Sequence, residues 1–563
     1  MKKIILILQI TIITNMYSQE YSCPLNIQKC LLSGTFGELR SNHFHTGIDI
    51  KTGGVEGKEV YSIDDGYVSR IKVSAWGYGK AIYINHLNGT TSVYAHLKEF
   101  SDKIDSIVKK EHYKKESFEI NLYPEKNKIP ISKDEVIALS GNSGSSGGPH
   151  LHFEIRETST SKPINPLSTG FNIEDNISPI LKKLKIYTLG KSSINKSKEN
   201  KIYNIKKERN IHTIDEKPLI TGKFALGIYT YDQLNGAQNK NGIYSIKIIV
   251  DSMIIYFFKA EELDFNTNRY INAHIDYQEK KENNIKYHKC YKLSNNKLQN
   301  YVTLINNGII NFQDDNLHLI QIEVSDITGN KSTLEFHVQS KRLEEKEEKE
   351  EKEEYTKQFL FNKANIFKNN DLSLHMEKNT LYENLNFIYD RKDSIDDSFS
   401  ALHKVHYNIT PVHKKYVLSI KGSVPESLRK KTYIARKDKT GKFLYIGGVW
   451  KNEYLRAKVR EFGDFCIIAD TIKPEVKGLN IYPGKILETS QKSIKCIIKD
   501  KESGIKKYRG EINGRWILMD YDPKKNLLRF DIPKSFPKGN HNFILKVEDK
   551  LGNITSYIAD FTL

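Results

Sequence analysis

His150 and His152 stand two residues apart in the run His150-Leu151-His152-Phe153-Glu154, directly after a glycine-rich segment at 141–149. In a β-prone context this spacing puts both imidazoles on one side of a strand, with Leu151 and Phe153 on the other. Upstream, His45-Thr46-Gly47-Ile48-Asp49 sets a histidine and an aspartate four residues apart. That spacing would align two ligands on a helix, but Gly47 and the β-branched Thr46, Ile48 and Ile50 favour extended chain, where i and i+4 again share a face. Two imidazoles with one carboxylate suit Zn²⁺ in a catalytic site, in which three protein ligands leave a fourth position for water. A third fragment, Tyr94-Ala95-His96-Leu97, lies in a β-prone run and is expected to place Tyr94 and His96 on one face, offering a histidine that need not be a ligand.

The glycine loop, His-Leu-His, His-Thr-Gly-Ile-Asp and Tyr-Ala-His fall within one block of ordinary domain size. This block resembles the lysostaphin-like (LytM-type) zinc metalloendopeptidases, a family of peptidoglycan hydrolases. The likeness runs from about residue 32 to residue 166 and takes in Gly34-Thr35-Phe36-Gly37-Glu38-Leu39-Arg40, Asp65-Gly66-Tyr67-Val68, Gly77-Tyr78-Gly79 and Ile164-Asn165-Pro166. It implies that His45, Asp49 and His152 are the zinc ligands, and that His150 and His96 are the catalytic pair that handles protons and stabilises the oxyanion. Zinc would then acidify water and polarise the scissile carbonyl, while the two free imidazoles titrate near the operating pH. Asp134 stands where the family usually has a turn glycine, and aspartate tolerates left-handed backbone better than most residues. The glycine run is expected to form a tight hairpin-like turn that exposes backbone N–H groups along a groove for an extended peptide.

Met1-Lys2-Lys3, an apolar stretch at 4–14 and Tyr17-Ser18-Gln19 read as a secretory signal, too short to cross a bilayer. Cys23 raises the alternative of a lipid anchor, but Glu20 and Tyr21 suit one poorly. No later segment is long and apolar enough to span a membrane. The expected location is extracytoplasmic: periplasm, cell envelope or secreted. Five cysteines in 563 residues leave at least one unpaired, with Cys23–Cys30 or Cys466–Cys496 as possible bridges. A net charge of +18 suits attraction to an anionic polymer such as the cell wall. Abundant Lys, Ile and Asn throughout would arise equally from compositional drift, and without an aromatic-interleaved basic stripe nucleic acid is not an expected partner.

The fold class expected is mainly β: a small antiparallel peptidase core followed by immunoglobulin-like β-sandwich modules. The expected division is a signal peptide at 1–19, the zinc endopeptidase at 20–172 with a charged insertion at about 101–130, a β module at 173–340, a charged helical linker at 341–362, a β-rich module at 363–469 and a last sandwich at 470–563. An approximate repeat links the first and last modules. Asp175-Asn176-Ile177-Ser178-Pro179 matches Asp470-Thr471-Ile472-Lys473-Pro474, Asn241-Gly242-Ile243 matches Ser503-Gly504-Ile505, and Asp326-Ile327-Thr328-Gly329-Asn330 matches Asp549-Lys550-Leu551-Gly552-Asn553. Calcium at Asp326 or Asp549 would need more clustered oxygen ligands than the sequence displays. The expected function is hydrolysis of peptidoglycan peptide cross-links, with the β modules either holding the peptidase at a wall or envelope partner or merely spacing it. The alternative is a catalytically silent wall-binding regulator that uses the same fold.

Overall fold

Four strands carry or flank most of the residues singled out above, with His45 in the loop before the first: β1 (Ile48–Lys51), β2 (Lys80–His86), β3 (Thr90–Leu97) and β4 (His150–Glu157). In the antiparallel sheet β4 lies between β1 and β3, and β2 follows β3. Period-2 alternation decides which side chains face inward. Ile48, Ile50, Tyr94, Leu151, Phe153 and Ile155 are fully buried in one core, with the Tyr94 and Phe153 rings 5.3 Å apart. Asp49, His152, Glu154 and Arg156 fall on the opposite face, where the register sets His152 directly across from both Asp49 and Ala95.

The computed structural model describes residues 21–563 apart from 172, 209–210, 344–354 and 489. The expected signal peptide and most of the Glu/Lys run therefore lie outside the described residues. Among the described residues no helix is long and apolar enough to cross a membrane.

The charged insertion is in part a helix, α1 (Asp102–Lys115). Its sequence explains it: Asp102 and Asp105 occupy the first turn and lysines the last, which suits the helix dipole. Ile104, Val108 and His112, four apart, form the buried stripe, and Glu116 closes the helix in a left-handed conformation.

Beyond the N-terminal domain the described residues are mainly β, with short helices at Ile271–His274 and Tyr277–Asn283, and their larger sheets fall into three pairs. The first pair includes Ile180–Thr188 with Lys223–Leu234, and Leu317–Ser325 with Lys331–Lys341. The second places five strands in each sheet, centred on Tyr416–Lys421 and Gly463–Ala469, and the third pairs Ser493–Lys499 with Leu527–Asp531 in one sheet and Asn540–Asp549 with Ile554–Thr562 in the other. Part of the expected helical linker is strand instead. Lys357–Phe359 pairs with Leu385–Phe387 because Phe359 stacks on Phe387 at 4.5 Å in the core of the second pair. Cys23 and Cys30 face each other with sulfurs 2.7 Å apart, whereas Cys466 and Cys496 are buried in separate cores.

The N-terminal domain and the first β module share a core. Phe36, Leu39 and Phe44, from the segment leading into His45, pack among Phe258, Ile271 and Ala260 of the module. The last module also returns to the N-terminal domain: Lys80 pairs with Asp520 at 2.8 Å, Arg509 with Glu116 at 2.5 Å, and Tyr113 of α1 meets Trp516 edge to face. A cleft of about 790 Å³ at this contact is lined by Trp76, Phe118, Tyr508 and Trp516, among others, and by none of the four histidines.

Several buried histidines outside the N-terminal domain predict acid lability. Burial pushes His288 down to about 3 and His403 and His406 down to about 4. Because the unfolded chain binds these protons from about pH 6.5, it holds more protons than the native state as pH falls toward 4, and stability drops across that window. Melting temperatures measured from pH 7 down to pH 4 should fall steadily; a flat profile would contradict the neutral burial of these rings.

Candidate metal centre

Strand register brings His45, Asp49 and His152 to one point. His45 Nε2 lies 3.0 Å from His152 Nδ1, Asp49 Oδ1 lies 2.9 Å from His152 Nδ1, and His45 Nε2 lies 3.1 Å from Asp49 Oδ1. All three residues are buried. The ring tautomers follow from their outer partners, since a carbonyl can only accept. His45 Nδ1 donates to the Thr35 carbonyl at 2.8 Å, which leaves Nε2 as a lone pair, and His152 Nε2 donates to Glu154 Oε1 at 2.8 Å, which leaves Nδ1 as one. Two lone pairs and a carboxylate oxygen thus confront one another inside the protein. Such an arrangement repels itself unless a cation, or a proton, sits among the three. Burial opposes a charge on His152, but the hydrogen bonds and charges of Asp49 and Glu154 outweigh it and push the ring up to about 9. Burial likewise works against the Asp49 carboxylate, yet the surrounding histidines hold it well below its usual range. The donor set, two imidazole nitrogens and one carboxylate oxygen, fits zinc.

Two further imidazoles border the trio. His150 donates from Nδ1 to the Gly148 carbonyl at 2.8 Å, and its buried Nε2 has no hydrogen-bond partner and points at Asp49 Oδ1 from 3.4 Å. His96 donates from Nδ1 to the Ser143 carbonyl at 2.8 Å, and its ring centroid is 4.8 Å from that of His150 and 5.8 Å from that of His152. Burial and the neighbouring His152 and His150 push His96 down to about 3.

The expectation that Tyr94 and His96 share a face is corrected here. Tyr94 is in the core, whereas His96 adopts a left-handed backbone, φ 60°, that breaks the alternation and turns its ring to the opposite side. A non-glycine residue in that region is uncommon, and such strain gathers at functional sites. Asp134 does take the left-handed conformation a turn glycine would, at φ 62°. The glycine run differs from the expected open row of donors. Its first half docks on the loop at 77–79, where Ser145 N donates to the Gly77 carbonyl at 2.8 Å and a Cβ on Gly144 would meet that carbonyl at 2.4 Å. Only around Gly147 and Gly148 would an added Cβ meet open space.

Several supporting residues carry no role in the sequence reading. Glu154 is fully buried and accepts from His152, from Thr46 Oγ1 at 2.7 Å, from Arg156 Nε at 2.6 Å and from the Tyr78 hydroxyl. Tyr78 stacks on His152 with centroids 5.1 Å apart. Arg40 holds the second Asp49 oxygen at 2.5 Å, leaving Oδ1 to the histidines. Such outer partners orient ligands and tune their basicity. Alternation from His152 was the available signal for Glu154, which follows it at i+2.

A module far along the chain also supports the centre. Asn268 accepts from Phe44 N at 2.7 Å and donates to the Phe44 carbonyl at 3.2 Å, fixing the peptide next to His45. Asn268→Ala should leave both buried groups unpaired, costing about 1–3 kcal/mol and loosening His45. Calorimetry and a zinc titration of the variant check this; unchanged stability would show that the contact carries no weight. At the opposite side, Lys524 of the last module donates to the carbonyls of Asn142 and Ser146, within the glycine run.

Parts of this chain are similar to known proteins. Residues 43–113 match Peptidase family M23, a span that includes His45, Asp49 and His96, and residues 356–470 match a Zu5-like domain. DD-carboxypeptidase/endopeptidase Mpg of Neisseria meningitidis serogroup B (strain MC58) is 34% identical over 132 residues, which is 23% of this chain and 24% of that protein. An uncharacterized metalloprotease of Haemophilus influenzae is 31% identical over 124 residues, 22% of this chain and 20% of that protein. The chain thus spans about a quarter of the length of the curated relatives it matches. Among solved structures, the catalytic domain of lysostaphin from Staphylococcus simulans aligns at 20% identity and a TM-score of 0.18, covering 24% of this chain and 90% of that one. Over residues 43–113, then, this chain matches Peptidase family M23, the family that its sequence resembles.

Proposed function

We propose that this protein is an exported, zinc-dependent endopeptidase that hydrolyses the peptide cross-links of peptidoglycan. The observation that carries the proposal is the convergence of His45 Nε2, Asp49 Oδ1 and His152 Nδ1, with the orphaned Nε2 of His150 turned toward them. These three atoms would hold the metal. When bound, zinc acidifies water to near neutrality and polarises a carbonyl.

The remaining work falls to the chain. His150 and His96 are each anchored through Nδ1 to a backbone carbonyl, so each presents Nε2 on the centre's side for taking a proton from water or giving one to the departing amine. Arg40 and Glu154 hold the Asp49 and His152 ligands in place against the strain of gathering acceptors. Gly147 and Gly148 leave room for an extended peptide beside His150. The relative Mpg is named for carboxypeptidase and endopeptidase activity, which supports a peptide substrate. The basic and apolar N-terminal run supports export, and the +18 net charge suits an anionic wall.

The first β module, which shares its core with the residues before His45, is proposed as a structural part of the peptidase rather than a loose spacer. The test is to incubate the zinc-loaded protein with isolated wall and, in parallel, with unstructured protein. Release of muropeptide fragments from wall alone is the expected result. Cleavage of the unstructured protein with intact wall would overturn the substrate assignment.

A further inference from the structure

The repeat that links the first and last β modules brings carboxylates together in both. Asp175, Asp232 and Asp326 offer oxygens within 4.8 Å of one another, and Asp470, Asp500 and Asp549 do the same. In each module the members come from equivalent places: the entry segment (Asp175, Asp470), the end of a strand (Asp232 in Lys223–Leu234, Asp500 after Ser493–Lys499) and the closing hairpin turn (Asp326, Asp549). Acidic clusters often serve only to cap turns, and part of this one does. Asp326 and Asp549 each accept from backbone N–H groups of their own turn and from the side chain of Asn330 or Asn553.

Asp175, Asp470 and Asp500 likewise accept from backbone N–H groups close to them in sequence, but capping leaves other buried polar atoms at both clusters unexplained. Asp232, a member of the first cluster, is 2% exposed and its Oδ1 has no hydrogen-bond partner. Directly across the ladder from it, on the same face, stands Asn241, 3% exposed, with neither its amide oxygen nor its nitrogen partnered. At the matching position of the last module is Ser503, 1% exposed, whose backbone N–H donates to Asp470 and whose buried hydroxyl has no partner. A buried polar group left unsatisfied costs stability, so the same lapse at equivalent places in two modules calls for a ligand.

We infer that each cluster is a calcium-binding site, so that the chain binds two calcium ions apart from its zinc. Three carboxylates and one neutral oxygen form an all-oxygen set without nitrogen or sulfur, which selects a hard cation; backbone carbonyls and water complete the six to eight ligands calcium takes. Without an ion the carboxylates crowd: burial and the neighbouring Asp175 and Asp326 push Asp232 up to about 8. The position suggests what the ion does. Asp175 and Asp470 lie where the chain enters each module, and Asn330 and Asn553 also hold the carbonyls of these two residues. An ion would pin the entry segment to the closing hairpin and stiffen both joints, one after the peptidase and one after the Zu5-like region.

The test is calorimetric titration of calcium into the full-length, zinc-loaded protein after calcium is stripped. Two ions should bind per chain, with dissociation constants of order 10⁻⁴ M, as in extracellular modules, and the melting temperature should rise. Asp232→Asn should lose one ion, Asp500→Asn the other, and the double variant both, with no calcium-dependent shift in melting. Wild-type protein that binds no calcium at millimolar concentration overturns the inference, as do variants that still bind two. A wild-type stoichiometry of one overturns it for the cluster whose variant changes nothing. Should a variant fail to fold, the wild-type stoichiometry decides alone.

Discussion

His152→Ala is expected to lose both metal and hydrolysis, whereas His150→Ala keeps the metal and loses turnover. The two residues are neighbours on one strand face, so a general disturbance of the sheet would affect them alike. Their ring atoms differ in what they face. His152 Nδ1 meets both His45 Nε2 and Asp49 Oδ1 within 3.0 Å, and removing it leaves two ligands, too few to retain zinc at ordinary concentrations. His150 Nε2 stands 3.4 Å from Asp49 and is proposed to move protons, a contribution of roughly 10²–10⁴ in rate. Zinc content by mass spectrometry, alongside kcat on wall fragments, separates the two. Equal metal loss in both variants would contradict the division of roles.

The second large effect is expected at Glu154. Glu154→Ala would strip His152 of its outer partner and leave the buried Arg156 guanidinium unpaired. Breaking a buried pair in this way costs about 3–5 kcal/mol, enough to unfold many domains of this size. Glu154→Gln is the informative companion, because it keeps an acceptor while removing the charge. It should fold, yet bind zinc about 10–100-fold more weakly, the usual cost of losing an outer carboxylate. Competition titration with a zinc chelator checks the affinity and thermal melting checks the fold. A Gln variant with native zinc affinity would show that the carboxylate does not tune His152.

The clustering of His45, Asp49 and His152 was legible because it depends on local rules. His150, His152, Glu154 and Arg156 are bound to one face by strand alternation, and Gly47 with β-branched neighbours keeps His45 and Asp49 in extended chain. What eluded sequence reasoning breaks those rules or spans long distances. His96 was assigned to the site by the family resemblance alone, because alternation would have turned it to the face of Tyr94 and it reaches the site only through a left-handed backbone. Asn268 reaches Phe44 across 224 positions, and no spacing pattern announces that contact. The mainly β class was equally plain from alternating runs, and the repeat was visible in Asp175/Asp470 and Asp326/Asp549. Its third carboxylate was not, because Asp232 and Asp500 sit at different distances from the matched motifs and only folding gathers them. The shared core of peptidase and first module escaped notice for a similar reason: Phe36, Leu39 and Phe44 read as ordinary core residues of their own domain.

Metal-dependent hydrolysis at one place is the central proposal for this protein. Defined cross-linked muropeptides incubated with stoichiometrically zinc-loaded protein, and with the same protein stripped of metal, provide the most direct measurement by mass spectrometry. The account predicts products that have gained one water at the peptide cross-link with the loaded protein and intact substrate with the stripped one. Intact muropeptides in the presence of fully zinc-loaded protein would contradict it.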